Sequence, residues 1–426
     1  MMNTGEYPNL LVISNNSLSN DNSNGRTLAG FLHGWNKENI AQIYVTGGLP
    51  DSEVCEKFFR ITDKDVIKGF FSRGAIGGEV RNTVSEHKNA FGGKKKMKKT
   101  VFTVMARDII WNTGIWYGNR LKKWLDDFKP ELILFFAGES TFTFNMALRL
   151  SDKYNLPVVV YNSEGYYFKD RNYLIDSKWS VGLYPLFHKA YIKVFNRLMQ
   201  RTSYAVYINE KLKNDYDKCF NVPSKVIYTS TAIQRKDCEP LHEIPQISYL
   251  GNLGIGRHKA LCEIADALQE INITYKINIY GKIPNDEVKS AFENCAGINY
   301  KGFVSYNDVV RIMKESDLLI HAESFDDFYK WDLQYGFTTK IADSLACGTC
   351  LFVYAPRELA CTQYLEGIAC VATERNQLKE KLMNILEDKE LRGKYISAGL
   401  EKVKENHRQD VNCKRFQKIL LEVAKK

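Results

Sequence analysis

Residues 337–348 read FTTKIADSLACG, and this stretch is the most informative in the chain. Thr338 or Thr339 can cap a helix here, because a threonine hydroxyl accepts a hydrogen bond from a free backbone N–H of the first turn. Lys340 and Asp343 are three residues apart, so they share one face of that helix. One helix start therefore offers a hydroxyl, a cation and a carboxylate, which suits a phosphate and two ribose hydroxyls. A surface ion pair has the same spacing and is the plainer alternative.

An earlier turn, residues 251–259, reads GNLGIGRHK and follows a strand predicted at 247–250. Its glycines let backbone N–H groups approach an anion, and the start of the next helix favours negative charge. Two cations lie at the same end, and one of them suits forked contact with phosphate oxygens. The candidate anion-binding residues are Gly251, Asn252, Gly254, Arg257 and Lys259. An ordinary strand-to-helix turn with solvated basic side chains is the alternative.

Two further segments repeat this strand-to-turn layout. Residues 301–305 read KGFVS and precede a helix that either Ser305 or Asn307 can cap. A later strand ends just before Glu323, and a polar, aromatic insertion then runs through Tyr335. By itself the KGFVS segment favours a plain capped turn.

The order of these motifs resembles the donor domain of GT-B glycosyltransferases. G-N-L…R-x-K comes first, then G-F-V, then T-K-I-x-D-x-L-A-x-G. The pattern is most similar to family-4-type retaining enzymes (glycosyl transferases group 1) of capsule and exopolysaccharide assembly. The resemblance implies that the first turn holds a diphosphate, the second meets the nucleobase and the acidic residue of the third grips the ribose. These roles fall on Arg257 and Lys259, on Gly302, Phe303 and Val304, and on Asp343, with Thr339 and Lys340 beside it.

The chain departs from that family at one carboxylate. Family members often carry two glutamates separated by seven residues, but the position eight before Asp343 is Tyr335. Glu323 closely follows its strand and is a candidate replacement. The second position of the pair is Asp here rather than the usual Glu.

Short β-branched runs alternate with amphipathic stretches along the whole chain, which is typical of βαβ units and parallel sheets. The predicted strands are 10–14, 42–46, 58–62, 132–136, 158–161, 204–208 and 225–228, then 247–250, 276–280, 298–300, 318–321, 351–354 and 368–371. Residues 231–246 lack periodicity and contain two prolines, so we predict a linker there. The fold class is α/β, with two doubly wound Rossmann-like domains at 1–230 and 247–426 that face a cleft in the GT-B manner. The C-terminal helix is expected to pack back on the first domain.

Three features of the first domain are candidate acceptor or catalytic elements. The loop of residues 15–26 is long and polar, and Glu139 and Glu164 each follow a predicted strand. In doubly wound sheets the carboxyl ends of strands are the usual ligand edge. Asn24, Gly25, Arg26 and Glu139 are therefore acceptor-side candidates, and Glu164 is a candidate for proton transfer. A disordered loop and the capping of the next helices are the alternatives.

No essential metal or cofactor is predicted. Residues 63–65 read DKD and imitate a metal motif of the other major glycosyltransferase fold, but helix capping explains them better. Cys347 and Cys350 form a C-x-x-C pair that ends a helix instead of starting one, and two cysteines supply half of a structural zinc site. The nucleoside diphosphate sugar is expected as substrate.

The formal charge of +9 allows an anionic partner. The lysine run before the first predicted helix pair comprises Lys94, Lys95, Lys96, Lys98 and Lys99, and Trp111, Trp116 and Trp124 follow it. Lysines beside interfacial aromatics are typical of contact with an anionic membrane surface, whereas a solvated face is the plainer reading. Without a signal peptide or nucleic-acid motif, we expect a cytoplasmic protein, peripheral on the inner face of the membrane, that binds no nucleic acid.

The sequence thus predicts a glycosyltransferase of hexosyl type that moves a sugar from a nucleoside diphosphate sugar to a glycan or lipid-linked acceptor in surface polysaccharide biosynthesis. Retention of configuration is implied by the resemblance alone. Three alternatives stay open: a nucleotide-sugar-binding protein without turnover, a nucleic-acid-binding protein that uses the positive charge, and a GT-B nucleotide-sugar epimerase.

Overall fold

A computed structural model of the chain describes residues 7–19, 23–71, 76–83, 99–174, 181–233 and 242–425. The chain divides into two compact units. The first unit comprises Met1–Tyr228 and Asp410–Lys426, and the second comprises Thr229–Gln409. No helix among the described residues has the length and apolar character needed to cross a bilayer.

The first unit is built around an eight-stranded sheet. Strands β1 to β8 are Leu10–Ser14, Ile40–Tyr44, Lys57–Arg60, Gly78–Val80, Leu132–Ala137, Val158–Asn162, Thr202–Tyr207 and Ser224–Val226. Helices α1 to α7 are Ser23–Leu32, Asp63–Phe71, Val101–Asn112, Asn119–Phe128, Thr141–Tyr154, Tyr184–Arg201 and Glu210–Cys219. The strand order is β4-β3-β2-β1-β5-β6-β7-β8, and β3 with β4 is the antiparallel pair in an otherwise parallel sheet. Its central strands are buried on both faces, which explains their continuous apolar runs.

The second unit has a six-stranded, fully parallel sheet in the order β11-β10-β9-β12-β13-β14. Strands β9 to β14 are Ile247–Leu250, Ile277–Tyr280, Ile298–Gly302, Leu318–Ala322, Cys350–Tyr354 and Cys370–Ala372. Helices α8 to α15 are Arg257–Ile271, Asp286–Glu293, Tyr306–Glu315, Asp327–Asp332, Thr339–Ala346, Ala360–Leu365, Leu378–Glu387 and Lys389–Lys402. Both sheets reverse their strand order near the first strand, which in such sheets places ligand sites at the carboxyl ends of the strands.

One more helix, α16 (Gln409–Ala424), returns to the first unit. Its Phe416 stacks on Phe31 of α1 with ring centroids 4.8 Å apart, and it meets Tyr161 of β6 edge-on. Phe416 and Leu420 are fully buried in the core that also contains the central strands. The first unit is therefore completed by residues that follow the whole of the second unit.

The structure corrects one of our sequence interpretations in the first unit. Residues 66–100, in which we predicted no strand, contain most of α2 and all of β4. Asp65 accepts hydrogen bonds from the backbone N–H and the hydroxyl of Thr62, which is the helix-capping role expected for the DKD segment. Between α3 and α4, Gly114 adopts a φ of +74°, a conformation that favours glycine.

The three tryptophans that follow the lysine run do not lie at an interface. Trp111, Trp116 and Trp124 are buried in the first unit, so the prediction of interfacial tryptophans is wrong. Lys94, Lys95, Lys96 and Lys98 lie outside the described residues, whereas Lys99 forms an ion pair with Glu139. Phe102, in the first turn of α3, is largely exposed.

A buried histidine, His407, lies near the C-terminal end of the second unit. His407 lies in a π-helical turn, Val403–His407, with Nδ1 2.7 Å from the carbonyl oxygen of Thr229 and Nε2 2.8 Å from the hydroxyl of Tyr364. Burial lowers the pKa of His407 from 6.5 to about 4, so the imidazole is neutral in the folded protein at neutral pH. Thr231 and Arg408 form a β-bridge beside it.

His407 should make the stability of the second unit fall in acid. The folded pKa lies below the unfolded one, so its contribution is complete above pH 6.5 and is lost as the pH falls towards 4. We expect the difference in unfolding free energy between wild type and His407→Gln to shrink by up to about 3 kcal/mol between pH 7 and pH 4, measured by urea unfolding. Buried Asp108, whose pKa rises to about 6, titrates with the opposite sign but in both proteins equally. Parallel stability curves for the two proteins would contradict the assignment.

Candidate functional site

Three glycines lie side by side at the carboxyl ends of β9, β10 and β11. Gly251 donates its N–H to the carbonyl of Tyr280 at 2.9 Å, and Gly281 donates to the carbonyl of Gly302 at 3.0 Å. A Cβ atom on Gly281 would collide with the carbonyl oxygen of Gly251. The main chains of these strand ends therefore lie in direct contact. Gly281, which was not among the residues singled out from the sequence, is required for this contact because it has no side chain.

The turn after β9 leads directly into α8. Ile255 and Gly256 both have positive φ, at 56° and 72°, and Gly256 is the N-cap residue of the helix. Gly256 has no side chain to cap the helix start, and a Cβ there would collide with the hydroxyl of Ser324 and approach the ring of Tyr329. The loop after β12 thus packs directly against the amino end of α8, where the helix dipole favours an anion.

Arg257 and Glu323 form a bidentate ion pair in this loop contact. Arg257 Nε and Nη2 each donate to a Glu323 carboxylate oxygen at 2.8 Å, and their side chains are 14% and 6% exposed. Burial alone would lower the pKa of the Arg257 guanidinium, but the charge and hydrogen bonds of Glu323 outweigh burial and raise it above its usual value. Glu323 therefore holds Arg257 in a fixed orientation instead of standing free as a replacement for the carboxylate missing at Tyr335.

Lys259 projects from the first turn of α8 at a more exposed position. Its Nζ lies 3.0 Å from a carboxylate oxygen of Asp326, and both side chains are partly solvated. The hydrogen bond with Asp326 raises the pKa of Lys259, so the amine carries its charge throughout the physiological range. A solvated pair of this kind is weak, so an incoming anion can replace Asp326 at little cost.

His321, at the end of β12, is a polar residue of the site that the sequence analysis missed. Its Nε2 lies 3.6 Å from a Glu323 oxygen, and burial, reinforced by the charges of Arg257 and Lys340, lowers its pKa. His321, Glu323 and Cys361 have ligand atoms within 4.8 Å of one another, a spacing that a metal ion could use. Arg257 already occupies both Glu323 oxygens, and burial raises the pKa of the Cys361 thiol to about 12. The donor set therefore fits an ion pair better than a metal.

The helix of the FTTKIADSLACG segment, α12, starts at the same edge. Thr338 is the N-cap, and its hydroxyl accepts a 3.4 Å hydrogen bond from the N–H of Lys340, whereas Thr339 is the first helical residue. Asp343 is buried on α12. A cavity of about 90 Å³ lies at this edge, lined among others by Gly251, Asn252, Arg257, His321, Glu323, Thr338 and Lys340. The structure thus brings the turn of residues 251–259 and the start of α12 together.

Other donor-site candidates lie apart from that cavity. Phe303 is 75% exposed beside Gly302, whose φ is +87° and whose Cα faces open space. Val304 lines a different groove, with Tyr280 and Arg311. Gly254, Lys259, Thr339 and Asp343 are likewise absent from the cavity lining. Phe303 is therefore an exposed ring just after β11, apart from the cavity beside the turn of residues 251–259.

A second cavity, of about 300 Å³, lies in the first unit at the carboxyl ends of β1, β5 and β6. Its lining includes the predicted residues Asn24, Gly25, Glu139 and Glu164, together with Lys99, Arg107 and Tyr166. Arg26 is exposed and does not line it. Glu139 is bound by Lys99 and by the hydroxyl of Tyr173 at 3.3 Å. The structure therefore gathers four of the five first-domain candidates around one polar cavity.

The DKD segment serves the local structure of α2. Asp63 accepts hydrogen bonds of 2.7 Å from Arg107 Nε and from Trp111 Nε1, which tie α2 to α3. Asp65 binds the backbone and hydroxyl of Thr62 at the helix start. Capping therefore accounts for Asp65, and a tether between helices accounts for Asp63.

Comparison with known proteins adds a partial family match and a fold to this geometry. Residues 257–418 match a family described as glycosyl transferase-like. HepE from Anabaena, crystallised with UDP and glucose, is similar with a TM-score of 0.61 at 10% identity, over 97% of this chain and 99% of HepE. A glycosyltransferase from Rickettsia africae gives a TM-score of 0.60 at 11% identity, over 98% and 99% of the two chains.

An Escherichia coli structure described as trehalose-6-phosphate bound with UDP-2-fluoro glucose gives a TM-score of 0.59 at 10% identity, over 98% of this chain and 99% of that one. A comparison with curated proteins gives no match. The chain therefore has the α/β fold of GT-B glycosyltransferases, as the order of its motifs led us to expect. Within that fold, the glycosyl transferase-like segment covers most of the second unit and runs into α16 of the first.

Gly281→Ala should disrupt the turn of residues 251–259 through a main-chain collision. The added methyl meets the Gly251 carbonyl, so we expect a loss of about 1–3 kcal/mol in unfolding free energy and weaker binding of nucleoside diphosphates. Gly393→Ala is the matched control, because a Cβ at Gly393 in α15 meets no atom within 4 Å and favours the helix. Urea unfolding and calorimetric titration with UDP measure both effects. Equal behaviour of the two variants would contradict the close packing at Gly281.

Proposed function

We propose that this protein transfers a sugar from a nucleoside diphosphate sugar to a glycan or lipid-linked acceptor. The observation that carries the proposal is the turn from Gly251 to Lys259, where a glycine-rich strand end, a helix start and two cations meet. Such a turn suits a diphosphate, because backbone N–H groups, the helix dipole and the cations all favour negative charge. The GT-B fold and the UDP complexes of structurally similar proteins support the same reading.

Arg257 is the residue best placed to bind the departing diphosphate. A guanidinium has five N–H donors, and Glu323 takes two of them. The remaining donors are held in one orientation by that ion pair, so a phosphate meets a preorganised fork. Preorganised donors act where negative charge develops in the transition state and need no rearrangement at that moment.

Departure of the nucleoside diphosphate is the difficult step of the proposed reaction. The bond between the anomeric carbon and the phosphate oxygen breaks, and its electron pair leaves with the diphosphate. The acceptor's hydroxyl oxygen forms the new bond to that carbon and gives up its proton to a base. Arg257, Lys259 and the backbone N–H groups near Gly251 and Gly254 stabilise that charge, and Lys340 adds a further cation at the start of α12. A phosphate would replace Asp326 as the partner of Lys259, so donor binding would change the contacts of the loop after β12.

The proposed binding site for the donor's nucleoside is the rest of this edge of the second unit's sheet. Phe303 offers an exposed ring at the end of β11, which fits stacking on a base. Asp343 remains the candidate for binding the ribose hydroxyls. Because Asp343 is buried on α12, the ribose must approach that helix closely. Thr339 begins α12 beside Lys340.

On the acceptor side, the polar cavity of the first unit is the proposed binding site. Glu164 is the candidate for accepting the acceptor's proton, and Asn24, Gly25 and Glu139 are candidates for binding its hydroxyls. Several properties stay predictions from the sequence and its resemblance. They are retention of configuration, family-4 and hexosyl type, a role in capsule or other surface polysaccharide synthesis, a cytoplasmic location, membrane contact through the lysine run and independence from metals.

A nucleotide-sugar-binding protein without turnover is the second candidate. Tyr335 stands where the resembled family often has a carboxylate, and Glu323 is engaged by Arg257. Both observations weaken the case for catalysis more than the case for nucleotide-sugar binding. Release of nucleoside diphosphate in the presence of an acceptor separates the two candidates.

Binding can be tested first, with nucleotides alone. We expect UDP, GDP or ADP, or one of their sugars, to raise the melting temperature by several degrees at a concentration of about 100 Kd, because ligand binding at that level stabilises by about 3 kcal/mol. The Arg257→Ala variant should lose the shift. No shift with any of these nucleotides would count against the whole proposal.

Turnover can be tested with Lys259→Ala. Loss of one cation at the leaving group should lower the transfer rate by about tenfold to a hundredfold and leave the melting temperature nearly unchanged, because the pair with Asp326 is solvated. Lys289→Ala is the control, since Lys289 makes a similarly exposed pair with Glu293 on α9. Transfer by Lys259→Ala at the wild-type rate would show that the diphosphate site is misassigned.

A further inference from the structure

Helix α6 carries an unusual distribution of charge. Its sequence, YPLFHKAYIKVFNRLMQR, contains no aspartate or glutamate. Four cations follow one another at intervals of four residues: Lys189, Lys193, Arg197 and Arg201. All four are exposed, whereas the opposite face of α6, with Tyr191 and Phe195, is buried in the first unit. The cations therefore form one stripe along the outer face of the helix.

Such a stripe opposes helix stability. Like charges four residues apart lie one turn from each other and repel, whereas lysine and glutamate at this spacing attract. Other helices of the chain use the attractive arrangement: Lys213 pairs with Asp217, Lys289 with Glu293 and Lys418 with Glu422. Lys189, Lys193 and Arg197 have no carboxylate partner among the described residues. Uncompensated repulsion on one helix indicates a partner that supplies the negative charge.

The neighbouring helix α5 extends the positive surface. Arg149 and Lys153 lie one turn apart on α5, and together with Arg197 they line a groove between the two helices. Arg149 and Lys153 lie over the ring of Tyr117, with distances of 4.9 and 4.4 Å to its centroid. Asp152, the one carboxylate in the sequences of α5 and α6, pairs with Arg201 at 2.7 Å.

We propose that the outer face of α5 and α6 docks on an anionic lipid bilayer. The positive face is defined by Arg149, Lys153, Lys189, Lys193, Arg197 and Arg201. The stripe on α6 spans roughly 18 Å, from a rise of about 1.5 Å per residue, which suits several lipid headgroups at once. Basic residues near such a surface each strengthen its attraction, and the effect fades within a Debye length.

The chemistry of this face favours lipid over nucleic acid. Leu186, one turn before the stripe on the same side of α6, is 58% exposed, and an apolar side chain beside cations suits the boundary between headgroups and acyl chains. Single-stranded nucleic acids are held by exposed aromatic rings that stack on bases. The large exposed aromatics among the described residues lie elsewhere, on α2, α3 and β11 and its turn, and the Tyr117 ring is already covered.

The test compares two double charge reversals in the full chain. Lys193→Glu with Arg197→Glu removes the centre of the stripe, and it creates attractive pairs with Lys189 and Arg201, so the variant should fold at least as well as the wild type. Lys389→Glu with Lys394→Glu changes the net charge equally on α15, at exposed positions of the second unit. Both variants are sedimented with vesicles of phosphatidylcholine alone or with 30% phosphatidylglycerol, at low and high salt.

The wild type and the α15 variant should bind the anionic vesicles at low salt and release them at high salt. The α6 variant should bind at least ~10-fold more weakly, with an unchanged melting temperature. Wild-type binding by the α6 variant would overturn the assignment of this face. So would wild-type protein that ignores anionic vesicles, or that instead binds arbitrary RNA in a manner lost in the α6 variant.

Discussion

The buried ion pair between Arg257 and Glu323 determines how the ligand edge of the second unit is assembled. Two hydrogen bonds of 2.8 Å join the start of α8 to the loop after β12, and these elements follow neighbouring strands of the sheet. Removal of either partner would leave the other charged and buried, which is far more costly than loss of a surface pair. With the pair in place, Ser324 comes to rest against Gly256 and Asp326 reaches Lys259. The cations proposed to meet the diphosphate are thus fixed by the carboxylates of a single loop.

The two cations differ in what holds them, and this difference matters for the proposed diphosphate site, which would have to release its product. Arg257 is buried and rigid, so it supplies orientation, whereas Lys259 is solvated and its partner can be exchanged. Neutral His321 beside them adds no further positive charge. If every cation of the site were buried and unpaired, the site would bind a diphosphate tightly. Without the diphosphate, however, such a site would be costly to form.

Regular elements and their order could be predicted because the apolar runs of both sheets are continuous and buried on both faces. Strands β1 and β9 have the predicted bounds, and the others differ by a few residues at their ends. The missed strand, β4, lacks such a run and is a three-residue edge strand. The turn of residues 251–259 could be singled out because glycines and cations occur together in it. Gly281 and His321 were missed because a single glycine or histidine after a strand is ordinary in sequence, and their importance comes from neighbours distant along the chain.

The first unit is discontinuous in sequence, and this has a consequence for its biosynthesis. Phe416 and Leu420 of α16 fill the same core as Phe31 and the central strands, yet they follow residues 229–409. A ribosome delivers the amino end first, so the first unit emerges with an apolar face uncovered while the second unit is being made. That face is closed when α16 leaves the exit tunnel. The nascent chain therefore exposes this apolar face for the time needed to translate the second unit, and a cut after the second unit would separate the first unit from a part of its own interior.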